Sequence, residues 1–499
     1  MIDLHNDALL ELPPKQLLPY LAKAKRDGVT EIWLAVWTTK LANPLATIKR
    51  KQAILRQIKG DPTYPICHLH IEDAWFLTPD NLDTLIKIHP YSVGLTWNSA
   101  NCLAGGAHSK QGLTAFGREV ISRLENAGIQ IDTAHLNRKS FWQFTKITTR
   151  PLLCTHTAFA AVHRHPRNLT HRQIKAIIAT GGLIGLCLVP KFLSQDTTSC
   201  GFHDIIKHID YFKKHFGRQN LCLGTDFYGT ATLPDGVTDY ADLTDIFHAT
   251  VIGYSALKQP IIAYLKGDPT ARKRLLITGG MHAREWIGGL VIRAWQRHYS
   301  DLPSDVCVAY IPYCNPDGIR LATGGLTTFF AKQAAFLQAV NHHSPDFTLW
   351  KANARAVDLN VNFDIGWGQG TSNVTTPAPA NYIGPRPNSE PETRALLKFI
   401  ARFRPTVGLA LHSKGEVIYY SRPADAATAK KLGEITQYQP ELSQGSYGGL
   451  TDYLALVQGI PAFTIELGAD KLPHPLGAAH LPAIMDRVQN VLYYFFNGE

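Results

Sequence analysis

At 499 residues the chain is too long for one ordinary hydrophobic core, and two or three domains are expected. A hydrophobic content of 45% with 18% charged residues describes a folded globular chain and excludes a disordered or fibrous one. The formal charge of +10 is spread without any run of five basic residues, which argues against nucleic acid as a partner and leaves a small acidic substrate compatible.

The chain opens MIDLHND, so His5 and Asp7 arrive where a secretory signal would place a basic stretch and an apolar run. The longest apolar stretch, AIIATGGLIGLCLVP (176–190), contains glycines and ends at Pro190; it reads as a buried strand with its flanks, not a membrane span. Eight cysteines are scattered without a C-x-x-C pair and read as buried free thiols. A cytoplasmic protein with no membrane partner is the expectation.

Through residues 1–228 short apolar runs recur: MIDLH, EIWLAVW, YPICHLHIE, YSVGLTW, IQIDTAH, PLLCTH, GGLIGLCLV and NLCLGTDF. Helix-like stretches such as PLATIKRKQAILRQIK and TAFGREVISRLENAG lie between most of them. Near-continuous apolar strands alternating with helices imply a parallel sheet, and eight such units imply a closed (β/α)8 barrel. Barrel enzymes carry their chemistry at the C-terminal strand ends. Those ends hold His5 and Asp7, Glu72, His135, His156 and Asp226. Six converging imidazoles and carboxylates suit a pair of metal ions sharing one carboxylate, which clamp a substrate oxygen and lower the pKa of water. Glu72 is the bridging candidate, because His5 with Asp7 and His135 with His156 divide evenly around it.

The pieces DLHND, HIED, GLTWNSANCLAGGA, IDTAHLN, THTAFAAV, HPRNLT and LGTDFYG together resemble the membrane (renal) dipeptidase family of dizinc barrels. The resemblance implies dizinc hydrolysis of dipeptides, often with a D-residue at the C-terminal position. It implies that His5 and Asp7 hold one zinc, His135 and His156 the other, and that Glu72 bridges. Asp226 would handle the protons of the attacking water and the leaving amine. Arg167 would grip the dipeptide carboxylate. Some family members have a histidine where this chain has Trp97, followed by Asn98, so the oxyanion-stabilising role has only Asn98 as a candidate. The last barrel helix is expected to be short or to be supplied by the second domain, because the next motif arrives about 30 residues after strand 8.

From IGYSALKQPIIAYLKG (252–267) the pattern changes. Strand-like LLITGG leads into MHAREWIGGLVIRAW, and His282 and Glu285 fall together at the start of a helix. His412, after VGLAL, supplies a third ligand for a zinc site, and Glu466, after FTI, is a candidate general base. GGMHAREW, PYCNPDGI, VDLNVNF, ALHSKGEVIYY and TIELGAD resemble the zinc carboxypeptidase family. WKANARAVDLN and YIGPRPNSEPET are most similar to the γ-D-glutamyl-L-diamino acid endopeptidases, which cut murein peptides. The resemblance implies zinc on His282, Glu285 and His412, with Glu466 activating water. Lys351 falls where digestive members have a carbonyl-polarising arginine, with Arg355 as a backup. Their carboxylate-binding arginine is matched by Val361, beside Asn360, and their mobile tyrosine by Gln444, with Tyr447 nearby. A substrate whose carboxylates lie elsewhere, such as one ending in diaminopimelate, fits better than an ordinary L-peptide.

The fold class is therefore α/β: residues 1–250 a dizinc barrel, residues 251–499 an α/β/α zinc-carboxypeptidase-like domain with a mixed sheet. The polar, Pro-rich and Gly-rich stretch 366–392 is expected to be a long loop beside the second site. Two resemblances in one chain imply a bifunctional metallopeptidase of murein recycling, acting on a murein tripeptide and the dipeptide it releases. Two general peptidases, or one live domain beside a silent muropeptide-binding one, are alternatives, and a homo-oligomer is compatible with the sequence.

Overall fold

The computed structural model describes residues 1–197, 200–299, 301–329, 331–443 and 447–497. The chain divides into two compact units, Met1–Phe247 and His248–Glu499.

The first unit is built on eight short strands: β1 (Ile2–Asn6), β2 (Glu31–Trp37), β3 (Ile66–Glu72), β4 (Ser92–Gly94), β5 (Gln130–Asp132), β6 (Leu153–Thr157), β7 (Leu183–Leu186) and β8 (Leu221–Leu223). They pair in chain order, all parallel, and β8 closes onto β1. Leu4, Trp33, Leu153 and Cys222 form one buried cluster with Ile2 and Leu183 packed against it. These side chains come from five strands around the ring, so they fill its interior. The connecting helices are amphipathic. Helix Ala115–Asn126 buries Val120, Ile121 and Leu124 at helical spacing, and the Thr114 side chain caps its first turn by accepting from the Gly117 N–H. After β8 the described residues form only the 3-10 turns Tyr240–Leu243 and Ile246–His248. The short closing element expected from the motif spacing is thus a pair of turns.

The second unit carries β9 (Ala249–Tyr254), β10 (Pro260–Gly267), β11 (Lys273–Gly279), β12 (Val306–Ile311), β13 (Val407–His412), β14 (Val417–Tyr420), β15 (Gln439–Leu442) and β16 (Ala462–Glu466). Their spatial order is β15-β14-β16-β13-β11-β12-β10-β9, with a parallel centre and antiparallel pairings at β9–β10, β10–β12 and β14–β16. Side chains alternate along a strand, so β11 offers Leu276 to one face and Gly279 to the other. Leu276 joins a core with Leu396, Phe399 and Ile400 of helix Pro391–Phe403. A Cβ on Gly279 would lie 2.9 Å from Gly288 and 3.0 Å from Ile292 of helix Ile287–His298, so the absence of a side chain lets that helix sit close on the opposite face. The mixed sheet is thereby covered on both faces.

Among the described residues no helix or named strand lies between the turn Leu359–Val361 and helix Pro391–Phe403. All eight cysteines are free; six are buried, Cys67 is half-buried and Cys102 is exposed. No helix of the described residues is long and apolar enough to cross a membrane.

Candidate metal centres

The C-terminal end of the barrel gathers the polar side chains singled out in the sequence. His5 lies in β1 with Asp7 just beyond it, Glu72 ends β3, His156 lies in β6, and His135 and Asp226 follow β5 and β8. All are buried or nearly so. Glu72 Oε1 lies 2.8 Å from His135 Nε2 and 3.6 Å from His156 Nε2, while its Oε2 lies 3.8 Å from His5 Nε2. His5 Nε2 is also 3.5 Å from Asp7 Oδ2 and 3.7 Å from Asp226 Oδ1. The two oxygens of one carboxylate therefore face His135 and His156 on one side and His5 on the other, with the His5 and His156 rings 3.8 Å apart.

The tautomers of the histidines are set by their other nitrogens. Asn98 Oδ1 faces His135 Nδ1 at 3.0 Å and accepts its proton. The Thr155 hydroxyl donates to Asp132 Oδ2 at 2.5 Å, so it can only accept from His156 Nδ1 at 3.0 Å. Both Nε2 atoms are left as lone pairs, and they stand 2.9 Å apart. Two facing lone pairs repel unless a cation lies between or beside them. His5 leaves both ring nitrogens, and Asp7 its Oδ2, buried without a hydrogen-bond partner. This donor set fits divalent ions.

Electrostatics agree. Burial alone would depress the His5 pKa, but Asp7, Glu72 and Asp226 hold it up at about 10. Burial, with the neighbouring carboxylates, pushes Glu72 up to about 8 and Asp226 up to about 6. Without positive charge these carboxylates are crowded beyond what one imidazolium neutralises. Backbone strain is concentrated here too. His135 (φ 66°) and Asp226 (φ 61°) both occupy the left-handed region, which costs on the order of 1 kcal/mol each and aims their side chains. A Cβ on Gly229 would sit 2.3 Å from Asp7 Oδ2, so only glycine lets this loop pass so close.

Arg167 is buried beside the centre, its Nη2 donating to the His156 carbonyl at 3.3 Å. Trp97 is partly exposed and packs against Trp37, their rings 5.1 Å apart and tilted by 45°. Asn98 spends its carbonyl on His135.

The second centre is smaller. His282 caps the 3-10 turn Ala283–Glu285, which precedes the α-helix that the sequence pattern began at His282. The turn brings His282 Nδ1 within 2.9 Å of Glu285 Oε2. His412, at the end of β13, places Nδ1 3.0 Å from the same oxygen and 3.1 Å from His282 Nδ1. Burial works against ionised Glu285, but His282 and His412 hold its pKa well below the usual range. Again two imidazole nitrogens and a carboxylate oxygen converge on one point, a donor set that fits one ion. His282 Nε2 stands 3.3 Å from Asp358 Oδ1, and Lys351 Nζ stands 3.1 Å from Asp358 Oδ2. Lys351 is thereby kept charged despite burial, its pKa raised by Asp358 and Glu285.

Glu466 ends β16 directly opposite His412 in the parallel register. Burial, reinforced by the charge of Glu285, pushes it up to about 7. Asn360 Oδ1 accepts from Leu450 N at 3.2 Å. Arg355 is more than half exposed and reaches Glu390 at 3.9 Å. Tyr447 lines an open cavity of about 440 Å³ with Gly366, Gln369, Ser421 and Asp452. Gln444 lies outside the described residues.

Sequence reasoning named the donors and missed the residues that orient them: Thr155 and Asp132 behind His156, and Asp358 behind His282. The only signal was a polar residue inside an otherwise apolar strand, as in CTHT and IDTAH.

Comparison with known proteins places both halves. Residues 47–256 match the family model for membrane dipeptidase (peptidase family M19), and residues 237–482 match that for zinc carboxypeptidase. The chain is 31% identical over 277 residues to gamma-D-glutamyl-L-diamino acid endopeptidase 1 of Lysinibacillus sphaericus, covering 51% of this chain and 69% of that one. It is 28% identical over 271 residues to the uncharacterized protein YqgT of Bacillus subtilis, covering 50% and 72%. Among solved structures, a Rhodobacter sphaeroides metallopeptidase liganded with a phosphinate mimic of L-Ala-D-Ala aligns with a TM-score of 0.42 at 22% identity, over 49% of this chain and 90% of that one. The chain belongs to the zinc carboxypeptidase family, its barrel half matches the membrane dipeptidase model, and the chain is a metallopeptidase.

Proposed function

We propose that the chain is a bifunctional zinc peptidase of murein peptide recycling. The second unit hydrolyses the γ-D-Glu–diaminopimelate bond of L-Ala-γ-D-Glu-diaminopimelate, and the barrel hydrolyses the released L-Ala-D-Glu. The observation that carries this reading is the coexistence of two differently built donor sets, one with a bridging carboxylate and one without, in a chain whose relative is a gamma-D-glutamyl-L-diamino acid endopeptidase.

His5, Asp7, His135 and His156 would hold two zinc ions with Glu72 between them, and His282, Glu285 and His412 would hold a third. When bound, zinc polarises the scissile carbonyl and acidifies water. Asp226 then takes a proton at its carboxylate and returns it to the leaving amine of the dipeptide. Glu466 does the same for the γ-glutamyl bond; a carboxylate poised near neutral pH both accepts and releases a proton. Arg167 holds the dipeptide carboxylate. Lys351, fixed on Asp358, presents its ammonium to the carbonyl oxygen of the second site, and Asn360, Arg355 and Tyr447 face the remaining substrate. Val361 offers no charge to a terminal carboxylate, which disfavours ordinary carboxypeptidase action.

The test is to incubate the tripeptide with wild type, His5→Ala and Glu466→Gln and separate the products. His5→Ala is expected to accumulate L-Ala-D-Glu, and Glu466→Gln to leave the tripeptide intact. Normal tripeptide turnover by Glu466→Gln would overturn the assignment of the second unit.

A further inference from the structure

The barrel mouth holds a second cationic position beside Arg167. The loop after β6 and the short helix Pro190–Leu193 after β7 are stitched together by Asn168, whose Nδ2 donates to the carbonyls of His163 and Phe192 at 2.8 Å each. This places the Phe192 ring as a common platform. The Arg167 guanidinium lies 5.5 Å from its centre, the Lys191 ammonium 5.3 Å and the His165 ring 4.7 Å. Cations stack on aromatic faces, but two of them on one ring repel each other, and an anion is what such a pair lacks.

Arg167 feels the buried carboxylates Glu72 and Asp226 across the site but makes an ion pair with neither. Among the described residues neither Arg167 nor Lys191 pairs with a carboxylate, and Arg167 Nε is buried without any hydrogen-bond partner. His165 adds a donor. Its Nδ1 accepts from the Arg167 backbone N–H at 3.2 Å, so its proton sits on Nε2. Burial, together with the charges of Arg167, Lys191, His163 and His108, lowers its pKa to about 4, which keeps the ring neutral. Arg167 reaches the backbone of His156 in the metal centre, whereas Lys191 is exposed farther out. One carboxylate near the reacting bond and a second a few bonds away would satisfy both cations.

We infer that the barrel selects dipeptides bearing two carboxylates, with Arg167 holding the main-chain carboxylate and Lys191, aided by His165 Nε2, holding one on the side chain of the C-terminal residue. The inference rests on the dipeptidase reading of the barrel. It also sets the order of the two reactions. In a γ-linked peptide the γ-carboxylate of the D-glutamate is masked as an amide, so no anion stands at that position until that bond is cut. A hydrolase that frees a γ-carboxylate must therefore act before the barrel does.

The zinc-loaded protein is assayed with L-Ala-D-Glu, the isosteric L-Ala-D-Gln and L-Ala-D-Lys. Wild type is expected to favour the glutamate peptide over the glutamine peptide by about tenfold or more in kcat/KM. Lys191→Met is expected to collapse that ratio, Lys191→Arg to retain most of it, and Lys191→Glu to shift preference toward the lysine peptide, a gain that a misfolded variant cannot mimic. Calorimetric binding of the same peptides to Asp226→Asn is expected to give the same order without turnover. A wild-type ratio within twofold of unity, or a ratio that survives Lys191→Met, overturns the inference while dipeptide hydrolysis leaves the barrel assignment standing. Failure to cleave any dipeptide overturns both.

Discussion

The two donor sets solve the same problem with opposite ends of the imidazole ring. In the barrel, His135 and His156 present Nε2 and fix Nδ1 on Asn98 and Thr155. In the second unit, His282 and His412 present Nδ1. Nε2 lies farther from the backbone, and a ring of eight strands needs that reach for side chains from β1, β3, β5 and β6 to meet. Nδ1 lies close to the backbone, so a three-residue turn and one strand end suffice. The supporting shells differ accordingly. In the barrel the groups that touch the histidines are neutral, Asn98 and Thr155, with Asp132 one step behind Thr155, whereas the second unit sets the ionic pair Asp358–Lys351 directly on His282.

The sharpest test of this contrast is to destroy one centre at a time. His282→Ala is expected to remove essentially all γ-glutamyl hydrolysis, a loss of 10³-fold or more on the order of a missing metal, with dipeptide hydrolysis retained. Metal analysis is expected to fall from three zinc ions per chain to two. Equal loss of both activities would break the picture of two separate centres. Asp226→Asn comes next, lowering dipeptide turnover by about 10²–10⁴-fold and leaving metal content unchanged.

The supporting shells should separate in a chelator titration. Thr155→Val and Asp358→Asn are each expected to weaken zinc about 10–100-fold, each only in its own centre. Salt should weaken the effect of neither strongly, since both shells are buried. The pH profiles sharpen the comparison further. Each base works only when ionised, and each is raised above the usual carboxylate range, so activity is lost as pH falls. The fall is expected to follow protonation of Glu466 for γ-glutamyl hydrolysis and of Asp226 for dipeptide hydrolysis, and to shift to lower pH as zinc is loaded.

A further effect concerns stability. Burial raises buried Glu392 of the second unit to about 7. The folded state then holds a proton that the unfolded chain has released, so stability present below about pH 4.5 is lost as pH rises toward 7, by about 3 kcal/mol. Glu392→Gln is expected to flatten this slope in urea unfolding of the full chain, followed at several pH values.

Much of this was legible in the sequence because the candidate metal donors are His, Asp and Glu that lie at, or a few residues beyond, the ends of apolar strands. MIDLHND and TGGMHAREW announce themselves that way. The eight barrel strands were legible for a related reason: a parallel strand buried on both faces has an almost unbroken apolar run. The orienting residues were not. Thr155 and Asp132 matter through one hydroxyl proton, and nothing in their spacing distinguishes them from other polar strand residues. Nor was the pairing of Lys351 with Asp358, seven positions away across a turn that no period describes. The Lys191–Phe192–Arg167 cluster joins two loops that only barrel closure brings together.

Tyr240, in the first turn after β8, donates its hydroxyl proton to Asp3 and accepts from Asn6 Nδ2 at 2.9 Å. Thr225 also leans on Asp3, through its N–H at 2.9 Å and its hydroxyl at 2.7 Å. The strand that begins the barrel is thus locked by a residue from its far end, and that residue falls in the stretch matched by both family models. For anyone dissecting the chain, a cut made at the last barrel motif, LGTDFYG, removes the latch. A barrel fragment meant to stand alone has to run through Tyr240, to about Phe247.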